Sequence, residues 1–565
     1  MALTTGALFL AILLAPVVTQ SNPVHRPPTP LVREAYFGDF SLYTTYSFSA
    51  YLDGVRTTPD DAYRFARGES VAFKGENVTR SSPPLDFLAV TDQAENLGLL
   101  NTLDDSGSAF AKSEIGQKIL ANDPQVFDTI MNWMLMERSN PYLGVDPKVA
   151  KAAGNAAWAK TIEAANRHYR PGKFTTFIGY HWTAYVHGAN QHRNILFRSS
   201  NAPAPFTAID SIKPEDLWTY LEGARSRGQD CIAIPHDAHL SHGARFDWVD
   251  SNGERIDRPY AERRALNEPL VEIASLGQSE THPALSPEDA GARFELFGME
   301  KMKNAAGSYI RDGLGRGLVI GKDVGVNPYR FGFVGSTHYE TGLSDTTESI
   351  YNGARGTTAS NSPLKEGSVW AALISGSGSL TGVWAEQNTR ESIFSALLRR
   401  EVYATSGTRL KVRLFGGWKY DDPLLKRKDW VASAYTNGVP MGSNLPARPA
   451  GTKPPSFVAW ATKDPNGANL DRLQVIRVRL EAGKSVESIF DVALTNTTGA
   501  PELLVRWQDP DFNPDAAAVY YLRALEIPTP RWSTVRAAKR GEPAPADMPA
   551  TIQERAWSSP IWFTP

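Results

Sequence analysis

A chain of 565 residues is long enough for two or three domains of ordinary size. Its 59 Lys and Arg nearly balance 61 Asp and Glu, so no basic field draws it to nucleic acid or to an anionic membrane. With 42% apolar and 21% charged residues it has the make-up of a globular protein, and its single cysteine leaves no internal disulfide to form.

The chain opens on an apolar core from Ala7 to Val18 followed by small and polar residues, the pattern of a secretory signal peptide over residues 1–20. That core is shorter than the ~20 residues a membrane span needs, so the expectation is a periplasmic or secreted protein with no membrane contact once the signal is removed. Residues 21–33 are Pro-rich and polar and read as a leader. From 34 to 408, short apolar runs alternate with helical patterns. AYFGDF, LDFLAV, KFTTFIGY, CIAIP, PLVEIASL and FGFVGS have the length and composition of strands. Cys231, in CIAIP, reads as a small buried hydrophobe. Between these runs, TPDDAYRFARGE offers an N-cap at Thr58 and a proline at the first helical position. KVAKAAGNAAWAKTIEAANRHYR and KPEDLWTYLEGARSRG are further helices. Strands alternating with helices predict an α/β fold with a mainly parallel sheet, open or closed into a barrel. From 409 to 565 the runs LKVRLF, PSFVAWATK, LQVIRVRLEA, SIFDVALTN, ELLVRWQD and AVYYLRALEI are joined by turn residues, which predicts a β-rich, sandwich-like C-terminal domain.

In parallel α/β folds, chemistry collects at the C-terminal ends of strands. Here those ends carry Ser41, Tyr43 and Ser49; Asp92, Gln93 and Glu95; His181, His187 and His192; His236, Asp237, His239 and His242; Glu272, Glu280 and His282; His338 and Glu340. Taken singly, a loop histidine is expected to be solvated or bonded to backbone. As a set on one face, imidazoles and carboxylates point to a shared site for zinc, manganese or iron.

The same segments carry a family resemblance. YSFSAYLDGVRTTPDDAYRFARGE, PLDFLAVTDQAENLG, FTTFIGYHWT with QHRNILF, IPHDAHLSHG, SETHPALSP, NPYRFGFVGST and IQERAWSSPIWFTP, in this order, resemble the family filed as domain of unknown function 3604. That family is distantly related to the PHP (polymerase and histidinol phosphatase) metallohydrolases, and the likeness runs from about Glu34 to the C-terminus. The resemblance implies a PHP-like distorted α/β barrel over 34–408. It also exposes departures. Relatives carry His-x-His-Thr where this chain has Ser41-Leu42-Tyr43-Thr44, Thr-Asp-His-Ala-Glu where it has Thr91-Asp92-Gln93-Ala94-Glu95, and Gly-Tyr-Glu-Trp where it has Gly179-Tyr180-His181-Trp182. Serine and glutamine supply neither a negative charge nor an imidazole lone pair, so part of a metal centre is lost.

Two expectations follow. The first is an enzyme in which His181, His236, Glu272, His338 and Glu340 hold one divalent metal. Asp92 or Asp237 is then the general base, and His192 with Arg193 stabilises developing charge. Tyr43, Trp182 and His282 contact a small-molecule substrate, an ester of phosphate or another acid. The second is a pseudoenzyme with no ion, whose old pocket binds a small ligand or a partner protein.

Overall fold

The computed structural model describes residues 33–296, 299, 305–351 and 376–565. The expected signal peptide and nearly all of the leader lie outside them. Each strand-like run of the sequence forms a strand. In chain order these are β1 (Glu34–Asp39), β2 (Phe87–Val90), β3 (Thr175–Trp182), β4 (Arg193–Phe197), β5 (Cys231–Pro235), β6 (Leu270–Ala274), β7 (Gly332–Gly335), β8 (Leu380–Ala385) and β9 (Val402–Thr405). The C-terminal part adds β10 (Lys411–Gly417), β11 (Ser456–Thr462), β12 (Leu470–Glu481), β13 (Lys484–Leu494), β14 (Glu502–Gln508), β15 (Ala518–Glu526), β16 (Arg555–Ser558) and β17 (Ile561–Phe563).

The helices start where their caps place them. Thr58 and Asp61 form a capping box that opens the helix Pro59–Ala66, and the Asp146 side chain caps Pro147–His168. Pro214 stands at the first position of Pro214–Ser226.

The pairing corrects the expectation of a mainly parallel sheet. β1 pairs β2 in parallel, β2 pairs β3 in parallel, and β6 pairs β7 in parallel. β3 and β4, β4 and β5, and β1 and β8 are antiparallel. Residues 183–192, between β3 and β4, hold only a small hairpin, and a parallel return needs a crossover of a dozen residues or more. The result is a twelve-stranded mixed sheet in the order β13-β12-β15-β16-β9-β8-β1-β2-β3-β4-β5, with β17 added to β15. β10, β11 and β14 belong to a second, four-stranded antiparallel sheet.

The barrel ladder does not close among the described residues. β6 and β7 form their own two-stranded sheet, with β6 beside β5 and β7 beside β8 and β9. Side chains take over where a ladder would run. Thr381 Oγ1 accepts from Gly335 N at 3.1 Å and donates to Gly335 O at 2.6 Å, and Ser559 Oγ accepts from Phe333 N at 2.9 Å. The hydroxyls satisfy the β7 edge without a paired strand.

β16 hydrogen-bonds to β9, so strands from both sides of residue 408 share the large sheet, and residues 33–565 form one compact unit. A buried ion network ties them further. Arg311, on the helix Ile310–Val324, reaches Glu280 at 2.5 Å and Asp289 at 2.8 Å; Arg523 of β15 reaches the same carboxylates at 3.1 and 2.8 Å. Tyr521 and Trp557 also donate to Glu280, at 2.6 and 2.7 Å. Glu280 is therefore a strut between the strand-end loops and the C-terminal strands. Burial opposes its ionisation, but Arg523 and Arg311 outweigh it and hold the group down at about 2.

Removing one partner strands a buried charge, so Arg523→Met should cost about 3–5 kcal/mol in chemical denaturation. A depressed carboxylate stabilises above its ordinary pKa and stops doing so as pH falls through the folded value. The network should therefore weaken from pH ~4.5 downward to about 2 in the parent chain, and that acid dependence should shrink in the variant.

Candidate metal centre

The strand order sets the site. Tyr43 follows β1, His181 is the penultimate residue of β3, His236 and Asp237 follow β5, Glu272 lies in β6, and His338 follows β7. Along β3 the side chains alternate, so His181 turns into the cluster while Trp182 turns into the apolar core. Tyr43, His181, His192, His236, Asp237 and Glu272 are buried, and His338 keeps 15% of its side chain exposed. Asp237 and His338 both adopt left-handed backbone, with φ of 50° and 53°. Such strain in facing non-glycine residues marks positions held by their surroundings.

Asp237 is the hub. Its Oδ2 lies 3.2 Å from His236 Nδ1 and 3.3 Å from His338 Nδ1. His236 Nε2 faces His181 Nε2 at 3.2 Å, Tyr43 OH bonds His181 Nδ1, and His338 Nε2 lies 3.2 Å from the same hydroxyl. Electrostatics assigns the protons. Burial penalises the Asp237 carboxylate, but His338 and then His236 hold its pKa well below the usual value, so it accepts from both rings. Burial would lower His338, yet the charge and hydrogen bond of Asp237 prevail and raise it to about 9, leaving both its nitrogens protonated. Burial and the neighbouring rings keep His181 neutral, and burial brings His236 down to about 4. Tyr43, raised far above its usual value by burial and then Asp237, stays a phenol.

These states allow one continuous circuit. His338 donates to Asp237 and to Tyr43, Tyr43 to His181, His181 to His236, and His236 back to Asp237. Glu272 sits beside this circuit and accepts from Ser336; burial and then Asp237 raise it to about 8.

Two groups of side chains can hold a metal ion. In one, His181, His192 and His236 each bring a ligand atom within 4.8 Å of the others; in the second, His236, Asp237, Glu272 and His338 do the same. His236 belongs to both. The donor chemistry fits a transition metal. Two nitrogens at ~2.0–2.1 Å from a tetrahedral ion stand about 3.3 Å apart, close to the His181–His236 separation. Asp237 also gives His236 the carboxylate partner that orients metal-bound imidazoles.

Other residues singled out in the sequence take different places. Asp92 accepts from Thr44 N at 2.5 Å, Thr44 Oγ1 at 2.6 Å and Ser47 Oγ at 2.7 Å, so it braces the loop after β1. Arg193 pairs with Glu268 at 2.9 Å and lies over the Trp182 ring, away from the imidazole cluster. His282 uses both ring nitrogens on backbone, with Ala284 N at 3.0 Å and Met299 O at 3.1 Å. Glu340 is buried and adds charge near Tyr43 and His338, but joins neither ligand group. His192 and Asp237, expected as catalytic groups, stand among the ligand-type atoms. Tyr43, expected against substrate, is wired to two histidines. His187 and His242 are exposed outside both groups.

Arg245 and Asn190 escaped the sequence reading, since neither type nor spacing marks them. Arg245 donates to the carbonyls of His192 at 3.3 Å and His236 at 3.0 Å, fixing the backbone of both. A cavity of about 850 Å³ lies elsewhere, against Leu318, Arg330 and Trp562, and no histidine lines it. Residue chemistry is the better guide here, because that cavity has no convergent ligand set.

A family profile described as "Protein of unknown function (DUF3604)" matches residues 31–497 and 493–565. The chain belongs to the DUF3604 family. No curated protein matches it. A solved two-domain protein from Bacteroides vulgatus, described as containing a predicted PHP-like metal-dependent phosphoesterase, aligns at 10% identity. The alignment covers 87% of this chain and 92% of that one, with a TM-score of 0.30, too low to support inference about this site.

The cluster makes stability pH-dependent on two sides. His338 and Glu272 have raised folded values, about 9 and about 8, so their contribution is lost as pH rises through them. His181, His192 and His236 have lowered folded values, so they contribute above ~6.5 and lose that contribution as pH falls below it, which outweighs Glu272 there. The melting temperature of chelator-treated protein should therefore peak near pH ~6.5. Asp237→Asn should flatten the alkaline limb, because His338 then loses the charge that holds its proton.

Proposed function

We propose that this DUF3604 protein is a metal-dependent hydrolase of small phosphoesters or related esters, acting outside the cytoplasm. The supporting observation is the His181–His236 nitrogen pair, 3.2 Å apart, with Asp237 behind His236. His236 and His181 would hold one divalent ion, and the second ligand-type group, with Glu272, adjoins it through His236. A PHP-like barrel around it is part of this reading, and the β6–β7 pair set beside β5 supports it. When bound, such an ion lowers the pKa of water towards ~7 and polarises an ester oxygen.

The chain's own groups do the rest. Asp237 keeps His236 protonated on Nδ1 and presents Nε2 as a lone pair. Reversing the circuit frees His181 Nε2 in the same way: His181 Nδ1 then donates to Tyr43, Tyr43 to His338 Nε2, and His338 gives up one proton. Tyr43 is thus a relay between the ion-facing imidazole and His338. His338, with its partly exposed edge, is the point at which that proton leaves the cage.

A second reading rests on the same circuit. Its hydrogen bonds close without an ion, as a pocket retired from catalysis to ligand binding would require. Metal analysis decides between them. Protein loaded with zinc, manganese or iron and desalted should keep about one ion per chain and hydrolyse aryl phosphates or carboxylate esters. His236→Ala should bring both to background, while His282→Ala should leave both unchanged. Background metal with no turnover in the parent chain would favour the second reading. Calorimetry of metal uptake in two buffers should show about one proton released at neutral pH, and none if the circuit does not reverse.

A further inference from the structure

His192 belongs to the imidazole group, yet its hydrogen bonds give it a different role from its neighbours. Asn190 Oδ1 accepts from two unambiguous donors, His192 N at 2.8 Å and Arg245 Nη2 at 3.2 Å. The oxygen is thereby identified, and the amide group 3.0 Å from His192 Nδ1 must be Nδ2, which only donates. His192 Nδ1 is therefore an acceptor, and the neutral ring carries its proton on Nε2. That Nε2 is buried and has no hydrogen-bond partner. His236, whose Nδ1 faces the Asp237 carboxylate, is in the opposite tautomer, with its Nε2 lone pair turned to His181. One cage thus holds an imidazole prepared to bind a cation and another prepared to donate a proton.

The charge around His192 points the same way. Arg193 and Arg264 share the single carboxylate of Glu268, at 2.9 and 3.2 Å. Arg245 donates to the carbonyls of His192, Asn190 and His236 and to the Asn190 side-chain oxygen. The backbone side of His192 therefore meets a cationic wall, the Arg245 guanidinium bonded to its carbonyl. A buried N–H without an acceptor is costly, and an anionic oxygen is the acceptor that both this donor and this wall favour.

We infer that His192 is not a metal ligand but the hydrogen-bond donor of an oxyanion subsite, locked in that role by Asn190 and suited to a phosphate or carboxylate group of the ligand. The inference deepens the hydrolase reading, but its tautomer and anion arms stand without an ion.

Nitrogen-15 NMR of the metal-free full chain reads the tautomer directly. The His192 proton should lie on Nε2 in the parent and move to Nδ1 in Asn190→Asp, whose carboxylate accepts instead. Inorganic phosphate should bind the parent, weaken ~10–100-fold in His192→Ala, and recover in part in His192→Gln, which restores an N–H donor. Metal retention should survive His192→Ala and fall in His181→Ala. A parent proton on Nδ1, phosphate that binds His192→Ala as well as the parent or binds neither, or metal lost from His192→Ala as fully as from His181→Ala would each overturn the assignment. Failure of the hydrolase reading alone has a different signature: no metal in any form, with the tautomer and phosphate results intact.

Discussion

The carboxylate of Asp237 is the constraint on which the site depends. One of its oxygens faces His236 on one side and His338 on the other, and the residue pays for that position with left-handed backbone. Because Asp237 stays ionised, His236 must present its other nitrogen to the cage and His338 must hold an extra proton. The remaining contacts of the circuit follow in sequence through Tyr43 and His181. Without this charge, His181, His236 and His338 would have no reason to differ in protonation, while His192 takes its state from Asn190. With it, each ring has an assigned state.

The fold was legible in the sequence at the level of elements. Apolar runs of strand length became strands, and helices began at Thr58 and at Pro214, in the stretches read as helical. Pairing direction was not legible, because it depends on how the chain returns. The short segment 183–192 forces β4 back against β3, a matter of connection length that apolar pattern does not encode. Nor does pattern reveal that Thr381 and Ser559 hydroxyls satisfy the β7 edge in place of a ladder.

The site was legible to the extent that strand ends are. His181, His236, Glu272 and His338 were marked by type and position, and the fold brings them together. Asp92 and Arg193 carried the same marks and serve as braces, because a carboxylate beside Thr44 and Ser47, or a guanidinium beside Glu268, is consumed by its neighbours. His282 is likewise occupied by backbone. Tyr43, a departure from the pattern its family suggests, is a link between two rings. Asn190 and Arg245 could not be found from sequence, since their importance lies in which atoms they face.

X-ray absorption at the metal edge of loaded protein tests the central claim most directly. The account predicts nitrogen or oxygen neighbours at ~2.0–2.1 Å for zinc, together with the outer-shell scattering of imidazole from His181 and His236. A first shell of oxygen alone, with no imidazole signature, would contradict it.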